Sequence, residues 1–198
     1  MMSRARPTDT DDAILDRIAG GDHGAYAVLL HRYRDRVMNL CYRMLAQRED
    51  AEEAASDAFL RAFRALPRFE NRARFSTWLY RITHNVCLSR LAKRKREPAF
   101  LQLDDEADVV HADDDAAGSL ENAELTVRID AALSSMRPEY AEILTLFYRE
   151  DQGYDEIALI TNLPLGTVKN RLHRARRELQ RRIFEDRSFQ KSSKAEHA

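Results

Sequence analysis

A chain of 198 residues that is 44 % hydrophobic can bury the core of one ordinary domain or of two small ones. Six glycines, five prolines and few stretches of period-two alternation favour helices over strands. The net charge is only −1, and there is neither an N-terminal apolar stretch nor a run of about eighteen apolar residues, which argues against a secretory leader or membrane span and for a cytoplasmic protein.

In chain order, residues 1–21 are polar and read as an N-terminal segment, partly disordered. Residues 22–96 form a first helical block. Tyr26, Leu29, Leu30, Tyr33, Val37, Leu40, Cys41 and Met44 recur at three-and-four spacing. Asp50 with Glu53 offers a capping box to a second helix carrying Ala54, Ala55, Ala58, Phe59, Ala62 and Phe63, which Pro67 ends. Ser76 or Thr77 can cap a third helix with Phe75, Trp78, Leu79, Ile82, Val86 and Leu91. Residues 97–119 lose all periodicity and read as an acidic flexible linker. Residues 120–184 form a second block. Pro138 suits the first turn of a helix, Asp151 to Gly153 breaks it, Tyr154–Thr161 is short, and Asn162 marks a turn before a long basic helix from Leu165. Residues 185–198 read as a disordered tail. The fold class is all-α, two small helical domains joined by the tether.

The charge is unevenly placed. Residues 61–96 hold eleven Lys/Arg and one acid, 97–121 nine acids and no Lys or Arg, and 161–198 ten Lys/Arg and four acids. Two basic blocks around an acidic one point to a polyanionic partner. In the second block a short helix, a turn and a basic helix form a helix-turn-helix signal. Val168, Leu172, Ala175 and Leu179 face inward. Thr167, Lys169, Asn170, Arg171, His173, Arg174 and Arg177 face outward, mixing residue types that read base edges with ones that bind phosphate.

No nucleophile–base pair or phosphate loop is present, and no enzymatic activity, small-molecule substrate or cofactor is expected. Asp104, Asp105, Asp108, His111 and Asp113 to Asp115 lack a scaffold for metal ligation, and His84 with Cys87 supplies only two ligands. Cys41 and Cys87 read as buried free thiols.

Tyr154 to Arg176, with its core of Pro164, Gly166, Thr167, Val168, Lys169, Arg171, Leu172, Arg174, Ala175 and Arg176, resembles the C-terminal helix-turn-helix of extracytoplasmic-function sigma factors of the sigma-70 family. Asp50 to Phe63 resembles that family's helix that docks on the coiled coil of the polymerase β′ subunit, with Ser56 where Gln is usual. Phe75 to Asn85 resembles the helix that melts the −10 promoter element. The resemblance implies a promoter-specificity subunit whose partners are core RNA polymerase (β′ coiled coil and β flap), promoter DNA and, in many members, an anti-sigma factor. It implies docking by Asp50, Glu53, Asp57, Phe59 and Leu60, and −35 recognition by the outward face of the basic helix. It implies −10 contacts by Phe69, Trp78, Tyr80 and Asn85, with Arg90, Lys93 and Arg94, and beside them Lys95 and Arg96, on phosphates. A helix-turn-helix regulator acting without polymerase would leave Asp50 to Phe63 without a role. A metal-dependent nuclease would need the Asp104–Asp115 run.

Overall fold

The computed structural model describes residues 9–96 and 120–195; the expected linker, with its acidic run, lies outside the described residues. No strand occurs among them. Eight α-helices are seen: α1 Asp11–Ala19, α2 Tyr26–Leu45, α3 Arg48–Ala65, α4 Phe75–Arg96, α5 Leu120–Ser134, α6 Pro138–Tyr148, α7 Tyr154–Thr161 and α8 Leu165–Ala195.

α1 lies where a partly disordered segment is expected from the sequence. Its start is fixed by Thr10, whose hydroxyl accepts from the Ala13 N–H, and by acids in its first turn. Ile14 and Leu15 then bury themselves against the first block, and Arg32 reaches back to Asp11 at 2.5 Å. Two apolar residues in a charged stretch are too few to show as a period, yet a capped turn docked on a larger core needs no more.

Within the first block a row of alanines, Ala51, Ala54, Ala55, Ala58 and Ala62, lets α3 approach α2 and α4 closely. The starts of two helices differ from expectation. α3 begins at Arg48 after Gln47, so Asp50 sits inside the first turn, where its charge suits the helix dipole, and Glu53 caps nothing. α4 begins at Phe75, so Ser76 and Thr77 are helical residues and not caps. Pro67 does end α3, in a 3-10 turn over Leu66–Arg68.

In the second block Pro138 occupies the first turn of α6, and Asp151 breaks the chain with φ +49°. α8 continues as helix to Ala195. The sequence after Gly166 contains neither Gly nor Pro to stop it. The two blocks lie face to face: α2 packs on α6 and α4 on α7, and their buried apolar residues form one continuous core.

Candidate nucleic-acid interface

The helix-turn-helix is built from local chemistry. The Glu156 carboxylate accepts from the Gly153 N–H at 2.7 Å, fixing the start of α7. α7 ends on Asn162 at φ 54°, ψ 37°, the left-handed conformation that Asn tolerates at low cost. The N–H groups of Thr167 and Val168 donate to Pro164 and set the start of α8. Val168, Leu172 and Ala175 then bury fully, beside Ile157 and Ile160. Arg176 lies 4.9 Å from the Phe147 ring centre and 5.4 Å from that of Tyr148, which ties α8 to α6 and keeps this cation off the outer face.

That outer face is open. Thr167, Lys169, Asn170, His173, Arg174 and Arg177 are exposed, and Arg171 is half-buried. Among the described residues no carboxylate pairs with Lys169, Arg171, Arg174 or Arg177. The row is therefore a set of uncompensated cations, with an amide and an imidazole, on a helix held by apolar residues behind it. Such a face can enter a major groove and exchange counterions with phosphates.

The face of the first block is assembled differently. Phe69, Phe75 and Trp78 form an aromatic cluster with ring centres 4.8 to 6.0 Å apart. Phe75 is buried and the other two are half-buried. Asn85, Lys93 and Arg94 are exposed on α4. Two residues expected beside them are elsewhere. Tyr80 is wholly buried and donates its hydroxyl to Glu150 of the second block. Arg90 uses its guanidinium fork on α3, 2.8 Å from both Glu53 and Asp57. These hydrogen bonds, to Glu53 first and then to Asp57, raise its pKa. The basic end of α4 thus divides: Arg90 is half-buried and orders the acids of α3, and Lys93, Arg94, Lys95 and Arg96 are exposed.

On the expected docking face, Asp50 and Phe59 are half-buried and Leu60 is 51 % exposed. Leu60 joins Leu30, Phe63 and Ser56 along a groove of about 640 Å³ between α2 and α3. Leu30 and Phe63 read as core residues in sequence. Leu29 is buried, and Leu30, about 100° further round α2, is left 39 % exposed at the groove.

Polar groups meet across the seam between the blocks. Arg43 donates to the Asp130 carboxylate at 2.5 Å and to the Ser134 hydroxyl at 2.7 Å. Thr77 donates to Gln152 at 2.9 Å, and His84 Nδ1 contacts the Glu142 carboxylate. Burial lowers the pKa of Arg43 while Asp130 opposes the shift, and burial raises those of Tyr80 and Glu150. Cys41 and Cys87 are buried neighbours; the bond from Cys87, then burial, pushes the Cys41 thiol up, the state of an unreactive core cysteine. Among the described residues no group of three His, Cys, Asp or Glu could hold a metal, and no helix is long and apolar enough to cross a membrane.

Comparison with known proteins agrees with this geometry. The sigma-70 region 2 family model matches residues 29–97, and the sigma-70 region 4 model matches residues 126–179. The ECF RNA polymerase sigma factor SigW of Bacillus subtilis is 34 % identical over 182 residues, covering 85 % of this chain and 94 % of that one. The ECF RNA polymerase sigma-E factor of Escherichia coli is 29 % identical over 185 residues, covering 88 % and 94 %. Among solved structures, CnrH bound to the cytosolic domain of CnrY aligns with TM-score 0.63 at 22 % identity, covering 90 % of this chain and 99 % of that one. The sigma factor RpoE of Bartonella quintana, bound to the anti-sigma factor NepR, aligns with TM-score 0.62 at 21 % identity, covering 78 % and 93 %. The two family models in this order, on the two helical blocks, and a relative matched nearly end to end lead to one conclusion: the chain belongs to the extracytoplasmic-function RNA polymerase sigma factors of the sigma-70 family.

Proposed function

We propose that this sigma factor directs core RNA polymerase to promoters, with α8 reading the −35 element and α4, with the loop before it, opening the −10 element. The observation that carries the reading is the outer row of α8: an amide, an imidazole and unpaired cations, fixed from behind by Val168, Leu172 and Ala175. Opening a duplex requires a base to leave the stack, at a cost of a few kcal/mol. The half-buried Phe69–Trp78 pair offers a stacking surface to offset that cost, and the exposed Asn85 amide can bond a base edge. Lys93 and Arg94, exposed on the same helix, are proposed to bind phosphates of that strand.

Polymerase is proposed to dock on α3. Glu53 and Asp57, ordered by Arg90, supply charge, and Leu60 beside the apolar groove supplies contact area. The bond-forming chemistry belongs to the polymerase. An anti-sigma factor is a further proposed partner, because both solved relatives are complexes with such a protein or its domain.

Transcription by core polymerase supplemented with the purified chain, on a library of randomised promoters, tests the reading. Transcripts that start downstream of one shared pair of motifs are expected. A chain that fails to co-elute with core polymerase, or that leaves start sites random, overturns it.

A further inference from the structure

The aromatic cluster proposed to take the unstacked base does not end at Phe75. Tyr33 of α2 meets the Phe75 ring edge-on, with centres 5.5 Å apart, and meets the Tyr80 ring at 6.2 Å. Tyr80, Tyr33, Phe75, Trp78 and Phe69 therefore make one continuous run of rings. Burial decreases outward along it. Tyr80, Tyr33 and Phe75 are buried, and Trp78 and Phe69, at the outer end, are half-buried. The surface offered to a base is thus the open end of a packed row, and its position is set from within.

Tyr33 is the ring of this row that α1 holds. A buried hydroxyl is costly without a partner. This one donates to the carboxylate of Asp11, at the start of α1 and 22 positions earlier. The carboxylate is shared between two neighbours on α2. One oxygen accepts from Tyr33 and the other from Arg32 at 2.5 Å, while the second nitrogen of that guanidinium donates to the Asp9 carbonyl. Burial, and then the bond to Asp11, push the pKa of the Tyr33 hydroxyl up, so it keeps its proton and stays the donor. α1 reaches the cluster a second time. Leu15 and Ile18 line a cavity of about 610 Å³ whose lining also includes Phe69 and Asn71 of the loop before α4.

We propose that α1 is a positioning element of the melting face: Asp11 fixes Tyr33, Tyr33 fixes Phe75, and Phe75 sets the Phe69–Trp78 pair in the place where a base stacks. The inference rests on the reading of that face as the −10 site. It adds Asp11 and Tyr33 as residues that touch no DNA and act through the rings between. Stacking contributes fully only when the rings are already in place, since any freedom they keep must be given up as the base arrives. A ring that loses its hydroxyl anchor regains freedom about its side-chain torsions, and each ring packed on it inherits some of that freedom. The melting face should therefore weaken without any contact to DNA being removed.

Trp78 is the chain's single tryptophan, so its fluorescence reports on this cluster alone. Two variants of the full chain test the proposal. Tyr33→Phe keeps the ring and removes the hydroxyl, and Asp11→Ala removes its acceptor. In the free chain both should raise the quenching of Trp78 by acrylamide, with helicity by circular dichroism retained. In the holoenzyme both should slow promoter opening by about threefold to tenfold, the scale of one hydrogen bond, and leave core polymerase binding and −35 duplex binding unchanged. The double variant should open promoters no more slowly than Asp11→Ala alone, because both changes break the same link. Unchanged quenching in the helical variants overturns the proposal, as does raised quenching with normal opening. So does a loss of core or duplex binding as large as the loss of opening, or a double variant that shows the product of the two defects. If Asp11→Ala does not fold, Tyr33→Phe decides alone. A wild-type holoenzyme that opens no promoter contradicts the promoter reading instead, and Trp78 quenching in the free chain still decides whether Asp11 and Tyr33 hold the cluster.

Discussion

The proposed reading face of α8 and the proposed melting face of α4 both carry cations and an amide, and present them in opposite ways. α8 shows its polar row to solvent, backed by a rigid apolar stripe. α4 has one stripe under the second block, its aromatic cluster half-buried, and one of its cations turned to the acids of α3. The chemistry asked of each explains the contrast. Duplex recognition needs charges and amides in fixed positions, and these rest comfortably in water. Strand opening needs aromatic surface, which exposed in the free protein would be a liability. A face for duplex can be left open; a face for unstacked bases is better kept partly covered.

If α8 is a rigid platform, its backing should be the most costly part to change. Leu172→Ala removes a side chain 1 % exposed and should destabilise the protein by about 2–5 kcal/mol. Thermal melting followed by circular dichroism measures this, and a loss below about 1 kcal/mol would mean that the stripe does not anchor the helix. Next in size is the proposed melting face. Phe69→Ala should remove a stacking contribution of about 1–3 kcal/mol, and Asn85→Ala one base-edge hydrogen bond. Both should impair strand opening more than duplex binding, and a template already melted at −10 should restore them. Without that rescue, the Phe69–Asn85 surface is not where the base is held.

Within α8 two kinds of residue should separate. Asn170→Ala should cost roughly 1–3 kcal/mol of discrimination at one base pair of the −35 element and leave the salt dependence alone. Arg177→Ala should weaken all promoters alike and flatten the salt slope by about one unit. Holoenzyme binding at several salt concentrations, on matched and singly substituted −35 sequences, shows both. Equal weakening of every promoter by Asn170→Ala would mean that the helix is turned differently.

The smallest expected effect lies in the seam. Burial holds the Glu150 carboxyl above its ordinary range, with Tyr80 and Arg36 opposing. A raised carboxyl pKa means that its contribution to stability is complete below the ordinary carboxylate value and declines as pH rises through the raised one. Glu150→Gln should therefore keep or slightly raise stability at neutral pH and remove that part of the pH dependence. Thermal melting across a pH series would detect it, and a variant that melts lower at neutral pH would show that the charged carboxylate holds the seam.

Much of this architecture was legible in the residues. Pro138, the break at Asp151 and the turn at Asn162 each act through local backbone chemistry, and the structure has them as read. The outer row of α8 was legible because a helix buried on one side leaves only its other face. Contacts across the seam were not. His84 and Glu142 are 58 positions apart, and periodicity does not say which polar residues will be buried as pairs. Tyr80 therefore read as a surface aromatic, and Arg90 as one more cation in a basic run. α1 was missed because two buried residues make no period.

The central claim, that this chain gives core polymerase the capacity to open a chosen promoter, is tested most directly by permanganate footprinting of a promoter selected from the library. Thymines in the −10 element should become reactive only when core polymerase and the chain are both present, and should fall silent when the −35 element is scrambled. Reactivity with core polymerase alone, or none with both, would contradict the account.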